Sequence, residues 1–424
     1  MQAYIKTYGC SLNHADSKII STILDEEGID ICDNADDADV LVVNTCTVKS
    51  SAERRIMDYI KKKSSEGKRI VATGCMAGSY PERISRYVPE ASITTAPNIK
   101  RIGHVIRESY AGRVVRTTEY SRFDRAFLLT AKSFGNVVEQ IPVSDGCLSS
   151  CGFCATKLSR GPLNSFSERS IVNAVRFAVE KGAKEIQITS QDIGSYGLDK
   201  GTNIAELMDS IAEIEGDFKV RIGMLNPEHL HRYIDHFIAA FENDKFYKFV
   251  HLPIQSGSDN VLRLMGRGYT AGEAVCYLNE IRRLSGISFM TDLIVGYPGE
   301  NEEDFRQTLD FVAQTKPDTV NLSKFTSRPG TRASLMCQIS DSEIKRRSLI
   351  ATKVIHDSQR QVNESHIGQT YKCLITEMTD MSFNGRTESY KQVVFNHDTG
   401  LSIGEKYDGK IFKASSNVLY GKVV

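Results

Sequence analysis

The stretch Cys147-Leu-Ser-Ser-Cys151-Gly-Phe-Cys154 places three cysteines in one short loop, directly after an apolar run from Val137 to Val143. A four-iron cluster normally takes four thiolates, so three from one loop leave one iron free for a substrate or cofactor. A structural zinc site would need a fourth ligand nearby, and no further Cys or His follows until His229. Three inert buried cysteines are the other interpretation, although so tight a group is rare by chance. The loop therefore predicts an iron–sulfur site that is open to chemistry.

Composition sets the class of protein around this loop. The chain has 424 residues, of which 41% are hydrophobic and 25% are charged, as is typical of a globular protein with two or three domains. The net charge is zero, so contact with nucleic acid would depend on local basic patches. The sequence has no basic-then-apolar leader and no apolar run of membrane-spanning length. Ten cysteines in a chain this long favour a reducing compartment, and we expect a cytoplasmic protein without a membrane segment.

Residues 1–125 have the pattern of a small, open, parallel α/β domain. Strand-like runs at Ala3–Tyr8, Val40–Thr45 and Arg69–Thr73 alternate with helical periodicity at Ala15–Glu27 and Ser50–Lys63. Each strand-like run is followed by one cysteine, in the order Cys10, Cys46 and Cys75. Ligands bind outside the carboxyl ends of the strands in such sheets, so we expect these thiols to meet on one rim as a second three-thiolate site. Three buried strand-end cysteines without a ligand are the alternative.

Residues 133–363 alternate strand and helix six times, which predicts a partial (β/α)6 barrel of parallel strands. The strands are expected at Val137–Val143, Glu185–Thr189, Lys219–Leu225, Phe249–Ile254, Phe289–Val295 and Thr319–Phe325. The helices between them are expected at Ser167–Lys181, Ile204–Ile214, Glu228–Glu242 and Glu302–Gln314. Active sites of such barrels gather at the carboxyl ends of the strands, which is where the Cys147 loop lies. The stretch before the barrel, 97–132, lacks a clean period, and we interpret Arg113–Arg125 as linker and surface.

Residues 364–424 predict a small β-barrel. A long polar helix at Ser340–Ser365 is followed by short strand-like runs at Tyr371–Thr376, Ser389–Phe395 and Lys410–Lys422. Because the charge of this segment is close to balanced, any RNA contact would depend on a few residues such as Arg386 and Lys391. The remaining cysteines match no ligand pattern and are interpreted as ordinary residues: Cys32, Cys276, Cys337 and Cys373.

The spacing of Cys147, Cys151 and Cys154 resembles the signature loop of the radical S-adenosylmethionine (SAM) enzymes. In that family the loop binds a [4Fe-4S] cluster whose open iron chelates the amino and carboxylate groups of SAM. An electron from the cluster then splits SAM into methionine and a 5′-deoxyadenosyl radical. The resemblance implies a TIM-like radical SAM barrel for the central domain, and it puts Phe153 near the adenine of SAM.

Four further side chains are candidates for SAM contacts at the carboxyl end of this barrel. Gln191 follows the second strand, where many radical SAM enzymes carry a residue that binds the amino group of SAM. Gln255 and Ser256 follow the fourth strand, where an ordinary helix cap by Ser258 is the alternative. Arg160 follows the cysteine loop and has the SAM carboxylate within reach, with a surface contact to RNA as its alternative.

The surroundings of the N-terminal cysteines closely resemble the first domain of the methylthiotransferases. The matching stretches are Gly9-Cys10-Ser11-Leu12-Asn13, Asn44-Thr45-Cys46-Thr47-Val48 and Gly74-Cys75-Met76. The resemblance implies that Cys10, Cys46 and Cys75 bind a second [4Fe-4S] cluster, again with one iron free of protein. By position and size, residues 364–424 are similar to the TRAM domain, an RNA-binding module of these enzymes. The resemblance thus covers essentially the whole chain.

Two further stretches, Leu158–Phe166 and Gly223-Met-Leu-Asn-Pro-Glu228, resemble the archaeal and eukaryotic branch of this family. That branch implies methylthiolation of N6-threonylcarbamoyladenosine (t6A) at position 37 of tRNA, on carbon 2 of the base. The family's radical mechanism uses two SAM molecules and a sulfur donor. The implied partners are the anticodon loop of ANN-decoding tRNAs and a reductase or other electron donor, and we expect a monomer.

Three other functions remain open from the sequence. The isopentenyladenosine-specific branch of the family and the branch that modifies an aspartate of a ribosomal protein share the same domains. A non-enzymatic RNA-binding protein with two zinc sites belongs to a different class.

Overall fold

The N-terminal domain is built on a six-stranded, fully parallel sheet. The computed structural model describes residues 1–48, 50–397 and 400–424. The strands of this first sheet are β1 (Gln2–Thr7), β2 (Asp30–Ile31), β3 (Val40–Thr45), β4 (Arg69–Thr73), β5 (Ser92–Thr94) and β6 (Arg116–Thr117). They lie in the order β2-β1-β3-β4-β5-β6. The chain order reverses between β1 and β3, and ligands of open α/β sheets bind at such a switch point.

Helices cover both faces of this sheet. They are α1 (Ser11–Glu26), α2 (Ser50–Ser65), α3 (Gly74–Ser79), α4 (Pro81–Tyr87) and α5 (Ile102–Tyr110). Helix α5 lies in the stretch for which the sequence showed no clean period, and it buries Ile102, Val105 and Ile106. The lack of a clean period at 97–132 therefore did not exclude a helix there. The interpretation of Arg113–Arg125 as linker and surface is wrong for Arg125, which is completely buried.

The central domain is an open barrel of six parallel strands. They are β7 (Val138–Pro142), β10 (Glu185–Thr189), β11 (Lys219–Ile222), β12 (Phe249–His251), β13 (Ser288–Val295) and β14 (Thr319–Lys324). A short antiparallel pair, β8 (Ser144–Asp145) with β9 (Asn164–Ser165), frames the cysteine loop. The strands form two halves, β7-β10-β11 and β12-β13-β14, which parallel bridges such as Met224 with His251 connect. The predicted partial (β/α)6 barrel is confirmed, with its third and fourth strands shorter than expected.

The barrel helices follow the strands in alternation. They are α6 (Thr156–Arg160), α7 (Glu168–Glu180), α8 (Ile204–Ala212), α9 (Pro227–Leu230), α10 (Ile234–Phe241), α11 (Asp259–Met265), α12 (Ala271–Ile281), α13 (Glu302–Thr315) and α14 (Asp341–Glu364). The single helix expected at Glu228–Glu242 is two helices, because Tyr233 has a non-helical φ of −151°. Residues on the outer faces of the strands, such as Ile186 and Ile188, pack with these helices into the main hydrophobic core.

The C-terminal residues form a closed five-stranded barrel, as predicted. Its strands are β15 (Thr370–Met378), β16 (Ser382–Arg386), β17 (Gln392–Asn396), β18 (Lys406–Ala414) and β19 (Leu419–Val423). The strand-like run at Lys410–Lys422 is therefore two strands joined by a turn. Cys373 and Phe395 lie in the core of this barrel, so Cys373 is an ordinary core residue.

The C-terminal barrel docks on the amino ends of the central strands. Glu388 pairs with Lys219 at 2.6 Å, and Lys391 pairs with Asp318, also at 2.6 Å. The Tyr390 hydroxyl donates to Glu185 at 2.9 Å. Lys391 is thus occupied at an interface within the chain, and Arg386 faces the same interface. Neither of the two residues expected to contact RNA lies on the outer surface of the C-terminal barrel.

Among the described residues, we find no helix with the length and hydrophobicity needed to span a lipid bilayer.

Candidate active site

The barrel cysteines lie in a loop that neighbouring backbone holds in place. The Gly152 N–H donates to Met265 O at 2.7 Å, and Gly152 O accepts from Ala333 N at 2.9 Å. A side chain at Gly152 would not fit, since its Cβ would lie 2.8 Å from the Tyr297 hydroxyl. Cys147, Cys151 and Cys154 all lie partly exposed on this loop. The sequence therefore produces a closely packed loop on which the three cysteines are partly buried.

Arg267 adds a positive charge beside this loop, and sequence reasoning did not identify it. Its guanidinium nitrogen Nη1 lies 3.2 Å from Cys151 Sγ, and its Nη2 donates to Asn226 Oδ1 at 2.7 Å. Burial raises the pKa of the Cys151 thiol, and the charge of Arg267 opposes that rise. Hydrogen bonds and positive charge near a cluster sulfur stabilise the thiolate form that binds iron. No spacing rule could have found Arg267, because the contact depends on the path of the turn after α11.

Unpaired polar atoms mark the barrel interior next to the loop. Among the described side chains, buried atoms without a hydrogen-bond partner include Gln191 Oε1, Asp192 Oδ2 and His229 Nδ1. Burial raises the pKa of Asp192, and it lowers the pKa of His229. Buried polar groups without partners are costly unless a ligand satisfies them. Their position at the carboxyl end of β10 and after β11 fits the polar amino and carboxylate groups of SAM.

The predicted SAM residues lie in different environments in the structure. Phe153 packs edge-to-face on Tyr297, with ring centroids 6.5 Å apart. Gln255 has a φ of 75°, a conformation that is uncommon in non-glycine residues and is enriched at active sites. Ser256 Oγ lies 3.1 Å from Thr308 Oγ1 on the outer helix α13, and Ser258 caps α11 as the alternative interpretation had it. The assignments of Phe153, Gln191, Gln255 and Ser256 to SAM stay predictions.

The N-terminal cysteines follow three neighbouring strands at the switch point of the first sheet. Cys10 follows β1, Cys46 follows β3, and Cys75 follows β4. Cys10 is exposed, whereas Cys46 and Cys75 are buried. Burial raises the pKa of Cys46 to about 11, and the nearby Cys75 and Cys10 contribute to that rise. Cys46, Cys75 and Cys10 are therefore close enough to interact electrostatically, and their assignment to one cluster stays a prediction.

The backbone around this second group is tightly constrained. Gly74 has a φ of 84°, and a Cβ there would lie 2.3 Å from Asn44 Oδ1. The Val48 N–H donates to Cys46 Sγ at 3.5 Å. Backbone donors of this kind tune a cluster by hydrogen bonding to its sulfurs. The residues present thus fit an iron–sulfur cluster.

The spacing of the thiols in each cysteine group bears on the kind of centre that the group suits. Within the described ranges, no three His, Cys, Asp or Glu side chains converge closely enough to hold one metal ion. Zinc draws its ligand atoms to about 2.0–2.3 Å from a single centre. A four-iron cluster instead distributes its thiolates over separate irons, so wider spacing suits it.

A buried ion-pair cluster, Asp16, Arg125, Asp145 and Arg160, joins the N-terminal domain to the barrel. Arg160 Nη2 lies 2.6 Å from Asp16 Oδ2, and Arg160 Nη1 lies 3.1 Å from Asp145 Oδ1. Arg125 contacts the same two carboxylates. Both arginines are completely buried, so the alternative of a surface RNA contact for Arg160 is wrong. Its predicted contact with SAM is not tested, but its guanidinium already holds two carboxylates.

The N-terminal domain spans the gap in the open barrel. On the β7 side, α1 carries Asp16 of the ion-pair cluster. On the β14 side, Arg328 Nη1 lies 2.5 Å from Glu53 of α2, and the Tyr80 hydroxyl donates to Pro329 O at 3.5 Å. The rim that bears Cys10, Cys46 and Cys75 is therefore held against the barrel interior from both edges.

Comparisons with known proteins agree with this architecture. Residues 2–95 match the family described as uncharacterized protein family UPF0004. Residues 141–312 match the radical SAM superfamily, and residues 364–424 match the TRAM domain. The chain is 34% identical to the "Probable threonylcarbamoyladenosine tRNA methylthiotransferase" of Pyrococcus horikoshii, with 100% of both chains covered. It is 32% identical to the human threonylcarbamoyladenosine tRNA methylthiotransferase, over 99% of this chain and 74% of that one.

The chain belongs to this methylthiotransferase family.

Solved structures support the fold independently. The radical SAM methyltransferase TsrM of Kitasatospora setae superposes with a TM-score of 0.59 at 14% identity, covering 78% of this chain and 73% of that one. The predicted family and fold class of this methylthiotransferase-family member are confirmed. As a radical SAM protein it uses SAM and a [4Fe-4S] cluster. The domain boundaries 1–125, 133–363 and 364–424 stay predictions, as does the cytoplasmic location.

Proposed function

We propose that this protein methylthiolates t6A at position 37 of tRNA, converting it to 2-methylthio-t6A. The observation that carries the proposal is that two three-cysteine groups border one interface, with Arg160 3.6 Å from Cys75 Sγ. Relatives that match the chain over its whole length bear the t6A name. Nothing in the structure favours the isopentenyladenosine, ribosomal-protein or zinc-protein alternatives.

In this proposal each cysteine group holds one [4Fe-4S] cluster. Cys147, Cys151 and Cys154 would hold the cluster that binds SAM, with Arg267 beside Cys151. Cys10, Cys46 and Cys75 would hold the second, which carries the sulfur. When bound, the clusters and SAM supply a radical at carbon 2 of the base and a methylated sulfur to replace its hydrogen. A second SAM molecule, a sulfur donor and an electron donor complete the reaction.

The residues of this chain contribute binding and placement. The ion-pair cluster fixes the N-terminal rim against the barrel. A base bound between the two cysteine groups is therefore held in a defined orientation toward both. Among the described residues, the buried atoms Gln191 Oε1 and His229 Nδ1 have no hydrogen-bond partner. The amino and carboxylate groups of SAM would supply such partners. Arg267 and the Val48 N–H stabilise thiolates at the two sites.

The outer face of the TRAM domain supplies an RNA-binding surface. Lys410 on β18 lies directly opposite Lys422 on β19, and both side chains are exposed. Like charges in that position destabilise a sheet, so the pair suits a negatively charged ligand. Phe412 nearby is 58% exposed, and exposed aromatic rings next to cations are typical of RNA contacts.

Mass spectrometry of tRNA nucleosides tests the proposal. Cells that lack the protein should contain t6A without its 2-methylthio derivative, and the wild-type protein should restore that product. A Cys276→Ala variant should restore it equally well, because Cys276 is exposed and belongs to neither group. An unchanged level of 2-methylthio-t6A in the deletion strain would show that the proposed activity is wrong.

A further inference from the structure

A cavity of about 370 Å³ lies between the central strands and the TRAM domain. Gln187, Arg221 and Phe249 contribute its wall from the barrel interior, and Arg386 and Tyr390 contribute from the TRAM domain. Its size is within the range of small-ligand sites. The fold, SAM binding and the cluster sites described above make no use of it.

The cavity borders the N-terminal cysteine group. Ser11, the residue directly after Cys10, is part of its lining, and the Ser11 hydroxyl lies 3.4 Å from Gln187 Oε1. Gln187 lies in the middle of β10, which ends at Thr189 shortly before the predicted SAM residue Gln191. The cavity therefore lies in the barrel interior, on the amino-end side of the predicted SAM site.

Two positive charges in this cavity have no carboxylate partner. Among the residues that the structure describes, no carboxylate lies within ion-pair distance of Arg221 or Arg386, and Arg221 Nε is buried without a hydrogen bond. Both guanidinium groups instead flank the Tyr390 ring, at 5.7 Å and 4.9 Å from its centroid.

The other charges around the cavity are already satisfied. Lys391 pairs with Asp318 at 2.6 Å. The buried Glu185 accepts hydrogen bonds from Gln187, Tyr247 and Tyr390. Glu185 keeps its negative charge among these neutral donors and forms no ion pair with either arginine among the described residues. Two guanidinium groups against this one carboxylate leave an excess of positive charge that a bound anion can neutralise.

We propose that Arg221 and Arg386 bind the threonyl carboxylate of t6A in this cavity. The inference rests on the proposed function and names the group by which the enzyme distinguishes t6A from other N6-modified adenosines. A guanidinium donates two parallel hydrogen bonds to a carboxylate, which gives both strength and direction. The neutral isopentenyl group offers no such partner and would leave both guanidiniums unpaired in a partly buried site.

Two tRNA substrates that differ in one charge test this assignment. One carries t6A at position 37 and the other carries the methyl ester of t6A, each ligated from a synthetic anticodon oligonucleotide. The wild-type enzyme should methylthiolate the free acid with a kcat/KM about 10- to 100-fold above that of the ester. Arg221→Met should lower the value for the acid to about that for the ester and leave the ester nearly unchanged. Arg386→Met should act in the same direction, and Arg221→Lys should retain part of the preference.

Matched controls separate specificity from folding. Arg306 is exposed on α13, and its ion-pair partner among the described residues is Glu303 on the same helix, so Arg306→Met should keep the wild-type preference. Each variant should still cleave SAM to 5′-deoxyadenosine without RNA, which reports an intact cluster site. If Arg221→Met does not fold, Arg386→Met and Arg221→Lys, each measured on the acid and the ester, take its place.

Three results would overturn the inference. Equal use of acid and ester by the wild-type enzyme would show that the carboxylate is not read. If the preference for the acid over the ester survives in both Arg221→Met and Arg386→Met, another residue recognises the carboxylate. If a Met variant loses kcat/KM equally on both substrates, its arginine contacts a phosphate of the tRNA instead. If the wild-type enzyme modifies neither tRNA, the proposed function itself is wrong, and this inference falls with it.

Discussion

The Arg160 guanidinium donates to the Cys75 sulfur across 3.6 Å. Arg160 ends helix α6, which follows the barrel cysteine loop, whereas Cys75 belongs to the N-terminal group. A side chain of the barrel domain therefore reaches the N-terminal cysteine group, and it also pairs with Asp16 and Asp145. These contacts hold the segment after the barrel cysteine loop against the N-terminal group.

Loss of Arg160 should destabilise the protein. Arg160→Met leaves Asp16 and Asp145 with one guanidinium in place of two, and breaking a buried pair typically costs about 3–5 kcal/mol. Urea denaturation followed by circular dichroism should show that loss, whereas Arg306→Met should change stability by less than about 1 kcal/mol. Adding Asp16→Asn to Arg160→Met should recover part of the loss, because it leaves Arg125 balanced by Asp145. An Arg160→Met protein with wild-type stability would contradict the role of the ion-pair cluster.

Cys46→Ala should separate the two clusters. Cys46 belongs to the N-terminal group, so the variant rebuilt under anaerobic conditions should bind about one four-iron cluster in place of two. It should still cleave SAM to 5′-deoxyadenosine on reduction, yet transfer no sulfur to tRNA. Iron and sulfide analysis together with nucleoside mass spectrometry measures both effects. Full iron content with normal methylthio product would refute the two-cluster proposal.

Cys151→Ala should stop SAM cleavage. The barrel loop then has two thiolates for a cluster that needs three, and Arg267 loses its sulfur partner. Reduced protein should form no 5′-deoxyadenosine above background, measured by liquid chromatography. Cys337→Ala, at an exposed cysteine outside both groups, should cleave SAM at the wild-type rate. Product formation by Cys151→Ala would mean that the cluster loop is assigned incorrectly.

Replacing both Lys410 and Lys422 with Glu should weaken tRNA binding and reduce its salt dependence. Each lost phosphate contact lowers the slope of log affinity against log salt by about 1, so the double variant should lose about 2. Filter binding at several salt concentrations measures the slope. Lys62→Glu changes the charge of another exposed lysine, in the N-terminal domain, and should leave the slope nearly as it is. An unaltered slope in the double variant would remove this face of the TRAM domain from the RNA interface.

The sequence was most informative where chemistry depends on neighbours in the chain. Cys147, Cys151 and Cys154 lie within eight residues, and strand periodicity placed Cys10, Cys46 and Cys75 at the ends of parallel strands. Both inferences need only local spacing and the general rule for sheets.

The contacts that depend on distant segments were not predictable. Arg125 resembled a surface residue because its partners, Asp16 and Asp145, come from two other parts of the chain. Strand β16 was missed because Gly385 weakens its pattern, although a larger side chain there would crowd Phe395, 3.2 Å from the Cβ position. In each case tertiary packing decides the outcome, and the sequence around the residue carries no trace of it.

Different parts of the chain lie at the two ends of the central barrel. The TRAM domain attaches where the strands begin, through Glu388 and Lys391, and the Cys147 loop lies where they end. Strand β13 has eight residues, a contour length of about 26 Å, and the tilt of barrel strands makes the height between those ends somewhat smaller. In the proposed function, an RNA bound on the outer face of the TRAM domain would have to cover a distance of that order before one of its bases enters at the carboxyl end. The barrel would thereby select a nucleotide by its distance from the bound part of the RNA as well as by its chemistry.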